Sequence, residues 1–198
     1  MIDYNELPLV SIIVIHSREK WFNECITSIE KSFYPNKEII VIENMERNKT
    51  IGKCWNDAVN QAQGEMCLFV GDDDAVMPEY IMGCVLSYID RRSKGFDIRG
   101  VASNCMAINV EEGAMTPALM YVTGMWETDF LKEHPFDETL KKKVDYHWME
   151  NGAKRYGNNL TWNFGYIYRQ HNGQVSGINL DKEAIEYDRR QKRKKKDR

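Results

Sequence analysis

Three short apolar runs, evenly spaced with helical patterns between them, leave this chain few ways to fold. Leu9-Val10-Ser11-Ile12-Ile13-Val14-Ile15 is β-branched and nearly continuous, as a strand covered on both faces would be. Glu38-Ile39-Ile40-Val41-Ile42 and Met66-Cys67-Leu68-Phe69-Val70 repeat it, with starts about 28 residues apart, the spacing of βαβ units. Between the first two runs, Trp21, Phe22, Cys25, Ile26, Ile29 and Phe33 recur at helical intervals, and Tyr34-Pro35-Asn36 stops the helix. Ile51, Cys54, Trp55, Ala58, Val59 and Ala62 do the same between the second and third, ending near Gly64. Beyond the third, Pro78 stands where a first-turn proline belongs, and Tyr80, Ile81, Cys84, Val85, Tyr88 and Ile89 continue an apolar face. Residues 8–105 therefore read as a β-α-β-α-β-α half with a parallel sheet and right-handed crossovers.

The remainder is less regular. Val101 to Val110 reads as strand and Ala118 to Thr123 as another, whereas Trp126 to His134 and Val144 to Tyr156 read as helix. Leu160-Thr161-Trp162 and Tyr166-Ile167-Tyr168-Arg169 are two short strand candidates. With no internal repeat or long linker, the expected class is α/β: one domain whose Rossmann-like, mostly parallel sheet is flanked by helices.

Composition narrows the function classes. At 198 residues, 42% hydrophobic and 29% charged, the chain can bury a sizeable core. It has no apolar stretch of roughly 18 residues with which to cross a bilayer. The acidic opening Met1-Ile2-Asp3-Tyr4-Asn5-Glu6 is wrong for a secretory signal, so a cytoplasmic location is expected. Cys25, Cys54, Cys67, Cys84 and Cys105 are odd in number, scattered and without a Cys-x-x-Cys pair; they read as free thiols in a reducing compartment, not as a zinc site or disulfide framework. Residues 189–198 carry eight Lys or Arg against one Asp, a net of +7 that leaves the other 188 residues at −10. That basic tail could hold anionic lipid headgroups at a membrane periphery, RNA or an acidic partner, or it could be a solvated, disordered end. The acidic body argues against specific nucleic-acid binding.

Gly71-Asp72-Asp73-Asp74 follows the third run, and ligands of open parallel sheets sit beyond the carboxyl ends of the strands. Three adjacent carboxylates repel one another, and a fold keeps them most easily where a cation compensates. Hard oxygen ligands without Cys or His beside them favour Mg²⁺ or Mn²⁺, and Mg²⁺ completes its shell with substrate phosphates and water. A nucleoside diphosphate or triphosphate is the partner this implies. The alternative is a solvent-facing acidic turn at the start of the next helix.

The ordered set of motifs resembles the GT-A glycosyltransferases, family 2 in particular, over residues 8–176. Val10 through Arg18 is similar to that family's opening strand and polar exit loop. Tyr34 through Asn44 matches its second strand, which ends in an acid that reads the base. Asn56-Asp57-Ala58 with Ala62-Gln63-Gly64-Glu65 matches its helix into the third strand, and Leu68 through Asp74, with Pro78 beyond, looks like its Asp-x-Asp segment. The resemblance implies an inverting, metal-assisted transfer of one sugar from a nucleoside-diphosphate sugar, most often UDP-linked, to an acceptor hydroxyl on a glycan, a lipid-linked molecule or a protein. One domain would then span 1–188, with 8–105 binding the nucleotide sugar and 106–176 shaping the acceptor site. Asp72 would contact the ribose side, Asp73 and Asp74 would hold Mn²⁺ or Mg²⁺, and Ser17, Arg18 and Glu43 would line the base and sugar pocket. Lys53 could reach a phosphate, although a surface lysine is the commoner role.

Transfer also needs the acceptor hydroxyl to lose its proton, for which a carboxylate base is worth roughly 10²–10⁴-fold. Phe136-Asp137-Glu138, a basic spacer and Val144-Asp145-Tyr146-His147-Trp148 resemble the family stretch that carries this base, which makes Asp145 the candidate; Val144 replaces the family's usual glutamate. A helix-opening acid is the plainer role for Asp145. Tyr168-Arg169-Gln170-His171 followed by Ser176 resembles the closing segment, where a histidine completes the metal shell and an arginine covers the phosphates. Gly124 in Val122-Thr123-Gly124-Met125-Trp126 matches the glycine loop facing the donor sugar. Trp126, Trp148 and Trp162 could stack on sugars, but core packing is the better expectation for those on helical faces. The Gln-x-x-Arg-Trp motif of processive synthases is absent. Two rivals remain: a sugar-phosphate nucleotidyltransferase, which Ile15-His16-Ser17-Arg18-Glu19 counts against by lacking glycine, and a non-catalytic sugar-nucleotide-binding protein, which Val144 leaves open.

Overall fold

A computed structural model describes residues 7–153 and 160–171, with the backbone alone at 103, 118–123, 152–153 and 160–164. The three apolar runs become β1 (Val10–His16), β2 (Lys37–Glu43) and β3 (Met66–Gly71), paired in parallel in the order β2-β1-β3 without a register shift. Helices α1 (Phe22–Glu30) and α2 (Ile51–Gln61) make the crossovers. Side chains alternate along β1, so Val10, Ile12 and Val14 join one apolar cluster with Cys25 and Ile29 of α1. Ile13 joins another with Cys54, Ala58 and Val59 of α2. Burial on both faces is why these strands read as continuous apolar runs. All five cysteines are buried thiols.

Beyond β3 come β4 (Ala75–Val76), α3 (Tyr80–Ser93), β5 (Gly100–Asn109), β6 (Met115–Glu127), α4 (Thr128–Glu133), α5 (Val144–Trp148) and β7 (Leu160–Gln170). The described strands form one sheet of order β2-β1-β3-β6-β5-β7-β4. Five of the seven point the same way, and β4 and β6 run against them. In a flat sheet β4 would stand about 19 Å from β3. The four-residue step from Gly71 to Ala75 reaches at most about 14 Å. The sheet therefore curls, bringing β7 to the end of β3, where the Gly71 amide donates to the Tyr166 hydroxyl at 3.0 Å.

Several elements depart from the sequence reading. Trp126 is in β6, paired with Cys67 and Gly100, and its helix begins only at Thr128. The helix expected over Val144 to Tyr156 is five α-helical residues followed by a π-helical turn at Met149–Ala153; residues 154–156 lie outside the described residues. The two strand candidates near the end are one strand, β7, whose pairing with β5 slips by three residues between Thr161 and Tyr166. Pro78 precedes the α3 N-cap residue Glu79 instead of opening the first turn, and its carbonyl accepts from Phe33 N at 2.8 Å and Ser32 Oγ at 3.1 Å. No described helix is long and apolar enough to cross a membrane.

Candidate functional site

The acidic run is buried, not solvent-facing: Asp72, Asp73 and Asp74 are 3%, 7% and 3% exposed. It leaves the end of β3 and crosses to β4, with α1 beneath it. Cys25 Sγ donates to the Gly71 carbonyl at 3.3 Å and Ser28 Oγ accepts from Val76 N at 3.1 Å. Burial, and then the charges of Asp74 and Asp72, push the Cys25 thiol up to about 12, so it serves as a neutral donor.

Each aspartate has its own partners. Asp72 Oδ2 accepts from the Ser17 amide at 2.6 Å and hydroxyl at 3.0 Å, and Asp72 Oδ1 accepts from Arg18 Nη1 at 2.8 Å. Asp73 Oδ2 lies 3.0 Å from Arg18 Nη1 and 3.0 Å from His171 Nε2. Asp74 Oδ2 accepts from the Tyr166 hydroxyl at 2.6 Å, and Asp74 Oδ1 accepts from the Arg169 amide at 2.9 Å. Burial, and then the Asp73 charge, push the Asp74 carboxyl up to about 8, while these two donors pull it back. Arg169 Nη1 reaches the Asp73 carbonyl at 3.0 Å, and its Nη2 pairs with Glu24 at 2.7 Å.

Ser17, Arg18, Asp72, Asp73, Asp74, Arg169 and His171 thus form one bonded network, drawn from β1, β3 and β7. The metal fit is uneven within it. Two ligands about 2.1 Å from one octahedral ion lie about 3.0 Å apart, which is the separation of Asp73 Oδ2 and His171 Nε2. Asp74 is held differently: its two oxygens accept from Tyr166 and Arg169, and the carboxylate anchors β7. Among the described residues no three His, Cys, Asp or Glu groups gather as a metal site. The protein would supply two ligands and leave the remaining positions to phosphate and water.

Other expected site residues stand apart from this network. Glu43, at the end of β2, is mostly exposed and meets His16 Nδ1 at 2.9 Å. The buried His16 ring stacks on Phe22 with centroids 3.7 Å apart. Lys53 lies on the outer face of α2, its ammonium 2.5 Å from Asp57. Gly124 is in β6 and not in a loop facing a ligand. Four residues of β6, 121–124, oppose Ala102 alone, and a Cβ on Gly124 would stand 2.1 Å from the Val101 carbonyl oxygen. The glycine is needed by the β5–β6 contact.

Asp145 is half-buried at the start of α5, where its carboxylate accepts from the amides of Tyr146 and of its own residue; burial raises its pKa. Val144 is 2% exposed in the second apolar cluster, so packing accounts for the valine there. The segment before α5 docks on α2. Asn56 Nδ2 donates to the Phe136 carbonyl at 2.9 Å and Asn56 Oδ1 accepts from its amide at 2.9 Å, while Gly52 lets the Asp137 carbonyl approach. Trp126 and Trp148 pack edge to face at 4.8 Å in the core; the Trp162 side chain, Ser176 and residues 189–198 lie outside the described residues.

Three contributors carried no expectation: Tyr166, Glu24 and Trp21, whose ring lies 4.5 Å from His171. Tyr166 gives no local signal, because its partners are 92 and 95 residues away. His16 did carry one, as a polar residue closing a buried apolar strand.

No family model matches the sequence, and no curated protein does. Solved structures of TarS from S. aureus do. The structure of TarS 1-349 in complex with UDP-GlcNAc aligns with TM-score 0.62 at 20% identity, covering 84% of this chain and 60% of that one. The complex with UDP gives 0.60 at 20%, covering 83% and 61%. The TarS structure without that residue range gives 0.63 at 21%, covering 83% of this chain and 37% of TarS. The fold is of the glycosyltransferase GT-A type. At this identity the likeness is one of fold, and the chain spans less than two thirds of each of these TarS chains.

Proposed function

We propose that this protein is a glycosyltransferase that moves a single sugar from a UDP-linked donor to an acceptor hydroxyl, with inversion and with help from Mn²⁺ or Mg²⁺. The observation that carries this reading is the buried network at the carboxyl end of β3, on a fold that TarS presents in complex with UDP-GlcNAc and UDP. In this reading Asp72, fixed by Ser17, faces the ribose, and His16 and Glu43 flank the base from the ends of β1 and β2. Asp73 and His171 would hold the divalent ion, which when bound would neutralise charge on the leaving diphosphate. Arg169, anchored on Glu24, closes the phosphate side. The acceptor proton passes to Asp145, whose burial makes its carboxylate a stronger base than an exposed one. A single base opposite the leaving group gives direct displacement.

UDP with Mn²⁺ should raise the melting temperature, and UDP without metal should do so much less. Ligand at 100 times its dissociation constant adds about 2.7 kcal/mol. A hydrolysis screen across nucleotide sugars with Mn²⁺ would identify the donor. No melting shift with any nucleoside diphosphate would remove the donor assignment.

A further inference from the structure

Arg18 has a place that pocket-lining does not explain. Its Nη1 lies 2.8 Å from Asp72 Oδ1 and 3.0 Å from Asp73 Oδ2. The second oxygen is the one that faces His171 Nε2 at 3.0 Å, so the guanidinium and an ion held by Asp73 and His171 would compete for the same carboxylate oxygen. Two buried carboxylates, Asp72 and Asp73, cannot stand uncompensated, and removing one partner of such a buried set is costly. Arg18 supplies the cation within the protein itself. Its Nε is buried with no hydrogen-bond partner among the described residues, so the fork is not fully used in this position.

We propose that Arg18 is a built-in counter-ion. It occupies the cation position of the acidic run in the free protein and yields that position only to a divalent ion arriving with a diphosphate, onto which the guanidinium then turns. The inference rests on the donor-site reading above. Its physical basis is competition. A bare ion must displace a resident charge and leave that charge without an anion, so its apparent affinity falls by the fraction of molecules with Arg18 displaced. A metal–diphosphate complex brings the replacement anion along. The free protein then discriminates against bare Mn²⁺ or Mg²⁺, and ion and nucleotide bind with positive coupling.

The test is a Mn²⁺ titration without nucleotide, read by the electron paramagnetic resonance signal of the free aqua ion. Arg18→Met should bind Mn²⁺ about tenfold or more tighter than wild type. Lys20→Met removes a charge of the same sign two residues away, from an exposed ammonium lying over the Trp21 ring, and should change the affinity by less than about threefold. No tightening in Arg18→Met, or equal tightening in both variants, would overturn the proposal. Should Arg18→Met fail to fold by circular dichroism, nitrogen-15 arginine spectra of the wild type decide. The slowed Arg18 Nη signal should keep its chemical shift with Mg²⁺ alone and move with Mg²⁺ and UDP together. An unmoved signal while a melting shift reports that the pair has bound would overturn the proposal as well. A wild-type protein whose melting ignores UDP and Mn²⁺ together would instead remove the donor reading, and the Mn²⁺ titration would still decide the counter-ion.

Discussion

Along β2-β1-β3 every paired residue keeps one unbroken register, whereas β6 and β7 each slip by three residues against β5. The two halves of the sheet do different work. The regular half is clamped between α1 and α2 by apolar side chains on both faces, and its strand ends present Glu43, Ser17 and Asp72 at fixed heights. The irregular half bends. Its bulges face Ala102 and Asn104, and each ends in a glycine, Gly124 in β6 and Gly165 in β7. Bending lets β7 leave the ladder and return Tyr166, Arg169 and His171 to the end of β3. Regularity positions the β1 and β3 ends of the site, and irregularity closes it.

That division can be broken or sharpened by substitution. The largest effect should come from outside the sheet, on α5: Asp145→Asn is expected to lower transfer by about 10²–10⁴-fold while the melting shift with UDP and Mn²⁺ stays intact. Near wild-type transfer in that variant would place the base elsewhere. Trp126→Ala, at the seam where β6 meets both β3 and β5, should cost about 3–5 kcal/mol and melt the chain in one transition. Two transitions would mean that the halves fold separately. Asp73→Asn should abolish the Mn²⁺-dependent part of the UDP shift, up to about 2.7 kcal/mol at 100 times the dissociation constant. Tyr166→Phe removes the donor to Asp74 and the acceptor for Gly71 N, and should cost about 1–3 kcal/mol by chemical denaturation. Ile12→Val, deep in the regular half, should cost only about 0.5–1.5 kcal/mol and leave UDP binding unchanged.

The same contrast explains what could be read from the chain. In the regular half, strand and helix positions follow from apolar runs and helical spacing, because burial on both faces writes itself into consecutive residues. The acidic run at the end of β3 was legible for the same reason. The two-residue β4 is too short to leave a pattern, and the β7 bulge divides one strand into two apparent ones. Trp126 at a helical interval from Phe130 reads as helix although it is strand, since one apolar residue fits either period. Motif similarity alone gave Gly124 and Asp74 a place at the ligand and the metal, and their contacts lie far along the chain: the Val101 carbonyl for the first, Tyr166 and Arg169 for the second. Contacts of that separation have no local signature.

The curl that brings β7 to the end of β3 also fixes when the site can exist. His171 meets Asp73 across 98 residues, and Tyr166 meets Asp74 across 92. A chain emerging from the ribosome folds from its N-terminal side. The β2-β1-β3 layer, with both its helices, is complete about a hundred residues before the latch on its acidic run is synthesised. During that interval Arg18 is the cation already made that can sit between Asp72 and Asp73. The residue proposed to compete with the ion would first keep Asp72 and Asp73 from standing as naked carboxylates in a half-built protein.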